Sequence, residues 1–273
     1  MKKFLSILVA LVAIVTLAAC GKKETTGVAY GKVHGQYVGI VTLQVKEGKV
    51  TGGTIDELYL PYNFANLVGQ VTAEGTDVVA QVAVNANTGV ATTTYWAKYV
   101  KIGSNNVTAT VVTGKVTRPD GNTAEGWGDA NEKATATVVY NVGSVDMKVW
   151  IATQANADAY AAAAKDDQIY VATSAFAKHA TLKTRYAHEM SLTGIDQFLK
   201  SKTNYGGANW DWKGAMTGLV TIFTGTAMDA DLTKAVRNAD TGIWSLDGVA
   251  TSATLVDFKD YYSVGVTAFN NAK

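Results

Sequence analysis

Cysteine and proline are nearly missing from this sequence: one cysteine, Cys20, and two prolines in 273 residues. A single thiol excludes an internal disulfide framework and every site built on paired cysteines. So little proline, with 48% hydrophobic residues, points to ordered elements and not to a flexible stalk. Charge of one sign is not in excess either. Lysine and arginine number 24 against 23 aspartates and glutamates, with no long run of either, which removes the basic field that a nucleic-acid partner requires. The common catalytic signatures are absent: no Gly-x-Ser-x-Gly elbow, no Gly-x-x-x-x-Gly-Lys-Ser/Thr loop and no Gly-x-Gly-x-x-Gly turn. The three histidines, His34, His179 and His188, are scattered. His188-Glu189 lacks the second histidine that a helical zinc-protease motif places four residues on, so no metal site is expected.

What is present begins with an apolar run. Lys2 and Lys3 precede residues 4–19, which only Ser6 and Thr16 interrupt. The run is short for a bilayer core, which takes about 20 apolar residues, and it ends in small ones, so it reads as a secretory signal peptide over residues 1–19. Leu17-Ala18-Ala19-Cys20-Gly21 resembles the bacterial lipobox. That resemblance implies cleavage before Cys20, diacylglycerol on its thiol, and a lipid anchor on the extracytoplasmic side of a cell membrane. Residues 20–27 then form a polar tether. Taking Lys2 and Lys3 from 24 basic residues leaves 22 against 23 acidic, and the chain that remains suits one large or two modest domains.

Beyond the tether, residues 37–46 approach period-two alternation. Glu47-Gly48 supplies a turn, and residues 49–60 return as a strand that stops at Pro61, a β-hairpin. Further strands are expected near 77–84, 90–102, 106–117 and 134–151, rich in Val, Thr or Tyr between Gly, Asn or Asp clusters. Residues 153–165, alanines around Tyr160, have helix propensity and end the strand series. After them come expected helices near 192–201, 213–224 and 229–237. A final helix spans 255–272, with Phe258, Tyr261, Tyr262, Gly265 and Phe269 on one face. The expected fold class is α+β, antiparallel sheets with helices concentrated in the second half. It divides into a mainly β unit over 28–165 and a mixed unit over 166–273 that carries the candidate site. Each half ends in an Ala/Tyr-bearing helix, which leaves open that the two are related units.

Two stretches carry chemistry. Trp210-Asp211-Trp212 offers indole faces that would stack on a sugar or a flavin ring, against the ordinary alternative that both tryptophans fill the core. Leu246-Asp247-Gly248-Val249-Ala250-Thr251-Ser252-Ala253-Thr254 resembles the attachment motif of the FMN-binding domain family, Asp-x-x-(Ser/Thr)-Gly-Ala-Thr. That family is found in flavin subunits of sodium-pumping NADH:quinone reductase and Rnf complexes and in extracellular electron-transfer lipoproteins. The hairpin Gly35-Gln36-Tyr37-Val38-Gly39 … Val45-Lys46-Glu47-Gly48-Lys49-Val50-Thr51 is similar to the family's opening strands. The resemblance implies FMN linked through phosphate to Thr254, with Thr251 as a second acceptor and Asp247, Ser252 and Ala253 completing the site. Ser252 stands where the family has glycine, and Asp247 lies one residue further upstream than the motif places it, so FMN is expected either covalently or noncovalently. The implied partners are a flavin transferase, a membrane quinol or dehydrogenase as electron donor, and the bilayer.

Thr254-Leu255-Val256-Asp257 also has the form of a capping box, which places Thr254 at the N-cap of the last helix, where amides and the helix dipole favour phosphate. The function expected is electron carriage rather than catalysis. The alternative is a surface lipoprotein that binds a carbohydrate or other small solute without redox activity.

Overall fold

A computed structural model describes residues 23–67, 77–203, 211–251 and 257–273. It is α+β, as expected, with antiparallel sheets and helices mainly in the second half. None of the helices among the described residues is long and apolar enough to cross a membrane.

The first sheet is the meander β1 (Thr25–Val33), β2 (Tyr37–Lys46) and β3 (Lys49–Tyr59). Glu47 and Gly48 both take positive φ, the backbone of the two-residue hairpin turn that the sequence predicts between β2 and β3. β1 was not expected: Thr25–Gly27, assigned to the tether, are strand residues, and Gly27 is buried. The reason is a helix. A Cβ on Gly27 would run into the carbonyl of Ala268, so glycine is what lets the terminal helix lie directly on the strand, and its small size hides the alternation. That helix, α6 (Phe258–Asn271), buries Phe258, Tyr261, Tyr262, Gly265 and Phe269, the face predicted.

The second sheet holds β4 (Asn66–Leu67), β5 (Val78–Val84), β6 (Ala91–Ala97), β7 (Tyr99–Ile102), β8 (Asn105–Thr117), β9 (Glu132–Val142), β10 (Val145–Asp146) and β11 (Ile169–Ala172). The expected strand over 90–102 is broken at Lys98 into β6 and β7. The strand expected over 134–151 stops at Val142. Gly143, at φ 60°, turns the chain into β10 and then α2 (Met147–Trp150), capped by Asp146 accepting from the Lys148 amide. The predicted alanine helix is α3 (Gln154–Lys165), capped by Thr153. The strand series does not end there, because β11 follows and pairs with β7. In the second sheet Tyr140 is fully buried and donates to the Ala97 carbonyl at 2.7 Å.

Three more expectations need correction. Residues 192–201 are not one helix but tight turns, Gly194–Gln197 and Lys200–Lys202, preceded by α4 (Arg185–Glu189). The helix near 229–237 is a single turn, Leu232–Lys234, followed by β12 (Val236–Arg237). β12, β13 (Trp244–Leu246) and β14 (Val249–Ala250) make a third, small sheet that was missed. Each of these segments is too short to display a period of 3.6 or 2. Helix α5 (Trp212–Gly225), where a helix was expected, packs beside β3. A short turn, α1 (Pro61–Phe64), with Pro61 in its first positions, closes β3.

Candidate functional site at the head of the two long helices

Both α5 and α6 begin at the same end of the first sheet, where β1 turns into β2 and β3 finishes. The β1–β2 turn places His34 at φ 50° and Gly35 at φ 67°, a left-handed conformation in which histidine is more tolerated than most side chains. The histidine is held there from two sides: its Nδ1 meets the carboxylate of Asp257, and its amide donates to Asp260 Oδ2 at 3.2 Å. Its ring stacks on Tyr37, centroids 5.8 Å apart, Tyr37 lies 5.9 Å from Tyr59, and Tyr59 stacks on Tyr186 at 5.0 Å.

Beneath this row of rings is a buried ion pair. Glu57, 1% exposed, faces the helices with Ile55 and Tyr59 because strand neighbours two apart share a face. Lys200, 2% exposed, donates to Glu57 Oε2 at 2.6 Å, and the Tyr261 hydroxyl donates to Oε1. The Lys200 ammonium sits 4.4 Å from the centroid of Tyr37 and 5.2 Å from that of Trp212, cation–π geometry that substitutes for part of its lost water. Burial pushes the Lys200 ammonium below its ordinary pKa against the pull of Glu57. Burial, and then the Glu57 charge, push the Tyr261 phenol far up, so its proton stays to donate.

The other carboxylates here are also engaged. Asp56 accepts from the amide and hydroxyl of Ser201, yet burial outweighs those bonds and holds its carboxyl above the usual range. Asp260 is raised by burial first and by the neighbouring Asp257 charge second. Among the described residues no three His, Cys, Asp or Glu side chains are arranged to hold a metal ion.

The sequence-predicted site residues divide sharply. Thr254, Ser252, Ala253 and Trp210 lie outside the described residues. Thr251 is 3% exposed and its amide donates to the Trp244 carbonyl at 2.9 Å, so its side chain belongs to the interior. Asp247 is exposed at φ 48° and, with Gly248 at φ 81°, forms the two-residue turn between β13 and β14. Trp212 is 3% exposed and packs in the core, the ordinary alternative weighed for it, and its Nε1 has no partner among the described residues. The N-cap of α6 falls on Asp257 and not on Thr254, a correction of three residues. The capping-box pattern misleads because Asp257, read as the box's acid, is itself the half-helical residue. It makes no side-chain bond to the helix amides, since His34 takes its carboxylate.

Sequence reasoning did not find Glu57, Lys200 or Tyr261 as a group. One signal for Glu57 was available: an acidic residue on the inward parity of a strand, between Ile55 and Tyr59. Nothing local marks Lys200. No protein-family model matches the chain, and neither a curated protein nor a solved structure is found to be similar to it.

Proposed function

We propose that this chain is a membrane-anchored, extracytoplasmic lipoprotein that binds FMN and acts as an electron carrier. Cys20 carries the lipid, and Thr254 is the residue to which a flavin transferase joins the FMN phosphate. One observation supports it most: the two stretches that resemble the FMN-binding family lie about 200 residues apart in sequence, and the helix that follows the second packs on the sheet that contains the first. The hairpin β2–β3 and its neighbour β1 form the sheet, and α6, which the acceptor segment leads into, lies on that sheet, closely enough that Gly27 has no room for a Cβ. A unit assembled from the two ends of a chain is what a single cofactor site made of both stretches requires.

The surroundings fit a phosphate in one respect and oppose it in another. Two helices begin here, Asp257 does not cap α6, and the N-terminal end of a helix dipole attracts an anion. Asp257 and Asp260 repel one, and His34 offsets that repulsion through its contacts to both. FMN, when bound, supplies the redox chemistry. The chain's own groups orient it and limit its exposure, and a membrane quinol or dehydrogenase donor feeds it. Trp212, buried in the core, offers no open indole face to a sugar or to a flavin ring, and Trp210 lies outside the described residues.

Coexpression of the full chain with a flavin transferase tests this. The expected result is a yellow protein with an FMN mass on the peptide containing residues 251–254, lost in Thr254→Ala. A colourless protein that also shows no shift in melting temperature with free FMN overturns the proposal, since a bound native-state ligand raises apparent stability.

A further inference from the structure

The outer edge of β3 is closed at one end only. At Leu58 it bridges antiparallel to Leu199, and the Tyr59 amide donates to the Phe198 carbonyl at 2.7 Å. Asp56 then binds the Ser201 amide and hydroxyl through its side chain, so this second strand goes no further. Below Leu58, β3 is paired to β2 on its inner side, and among the described residues no strand lies on its outer side.

A groove of about 440 Å³ follows this open length. One wall is the run Thr51–Ile55, five consecutive residues. Thr51 is the extra residue of a bulge opposite Gln44 and Val45, and from Gly52 on side chains alternate between faces, so a wall that takes in all of Gly52–Ile55 is the strand's edge, with its amides and carbonyls. The opposite wall is a stripe of α5 that includes Thr217, Val220, Thr221 and Thr224, with Met216 beneath. The hydroxyls of Thr217, Thr221 and Thr224 each donate back to a carbonyl of their own helix, which spends their polarity and leaves methyl groups as the wall's contact surface. From Lys213 to Thr224 the helix advances about 16 Å at ~1.5 Å per residue, the length of about five extended residues.

We propose that this groove takes an extended peptide segment of a partner protein, added antiparallel to the outer edge of β3 where the pairing with residues 198–199 leaves off. Main-chain hydrogen bonds to Gly53 and Ile55, which face the same outward side as the Tyr59 amide while residues 52, 54 and 56 face β2, give affinity, and every second side chain, small or β-branched, meets the methyl wall of α5. The charged groups do not favour a small charged ligand: among the described residues Lys213 is the one ionisable side chain lining the groove, and the unspent polar groups are backbone sites. This binding is independent of flavin, so its failure leaves the electron-carrier proposal standing and the reverse also holds.

The probe is a phage-displayed library of random linear decapeptides, panned on the full chain carrying Cys20→Ser. Peptides alternating small or β-branched residues are expected to be enriched. N-methylation along a selected peptide should weaken binding at least tenfold at alternate amides and be tolerated between them. Thr217→Arg, at an exposed position, should lose binding with its melting temperature unchanged, and the peptide should slow amide exchange at Gly53 and Ile55. No enrichment over the Thr217→Arg protein, N-methylation tolerated at every position, or protection confined to another part of the surface overturns the proposal.

Discussion

The two larger sheets differ in how they are covered, and the difference separates the parts of the molecule that can bury polar chemistry from those that cannot. The three-stranded sheet carries α6 on β1 and β2 and α5 beside β3, and its interior holds an ion pair with both partners 2% exposed or less. The eight-stranded sheet is covered near β7 and the adjoining ends of β8 and β9. Further out, no described helix covers either face: Val111 and Val112, neighbours on β8 that point to opposite faces, are 41% and 55% exposed. That outer part is held by ladder hydrogen bonds and one aromatic pin. Trp127, 2% exposed, donates from Nε1 to the Ala86 carbonyl at 3.2 Å, with the Lys133 ammonium 5.7 Å from its ring centroid. Gly89, at φ 70°, has no room for a Cβ beside that indole. Helices on a sheet create an interior dry enough to make charges depend on each other. A bare ribbon leaves its polar groups to water.

If this contrast is right, Lys200→Met should cause the largest loss, about 3–5 kcal/mol in urea denaturation, because it leaves the Glu57 charge buried without its cation. Lys200→Met with Glu57→Gln should recover much of that. A single-variant cost below about 1 kcal/mol would mean that water reaches the pair. Trp127→Ala comes next, at about 3 kcal/mol, the lower end for a buried tryptophan. Its effect should be local: hydrogen exchange should quicken in residues 85–90 and 124–131 while the α5 and α6 amides keep their protection, as separate cooperative units allow. Uniform loss of protection would show that the bare sheet and the covered one unfold together. Val112→Thr should change stability by no more than about 0.5 kcal/mol by thermal denaturation, as exposed positions usually do. A larger loss would mean that this face is covered in solution.

Much of the fold was legible because the long elements have a strict period. The β2–β3 hairpin, its Glu47-Gly48 turn, the strands β5 and β8, and helices α3, α5 and α6 lie where alternation, propensity or apolar spacing puts them. The misses have physical causes. β1 was hidden by the glycines that α6 needs for close approach, β11 and β12–β14 are too short to show a period, and Gly143 and Asp146 redirected a valine-rich run into a helical turn. For the candidate site, the sequence pointed to residues 247–254, of which the structure describes 247–251 and, further on, the start of α6. Thr251 is interior, Asp247 is a turn residue, and Asp257 is the N-cap paired with His34.

Local sequence by itself determined where the chain alternates, coils and turns, because those preferences are set by a few neighbouring side chains. Only the tertiary structure decided that Glu57, Lys200 and Tyr261 form one buried cluster. It also decided that residues 25–59 and 258–271 build one sheet-and-helix unit, and that among the described residues no strand lies on the edge of β3 beside α5. Lys200 is 143 residues from Glu57 in sequence. No local preference extends that far, and the pairing exists because both side chains are carried into one interior from which water is excluded.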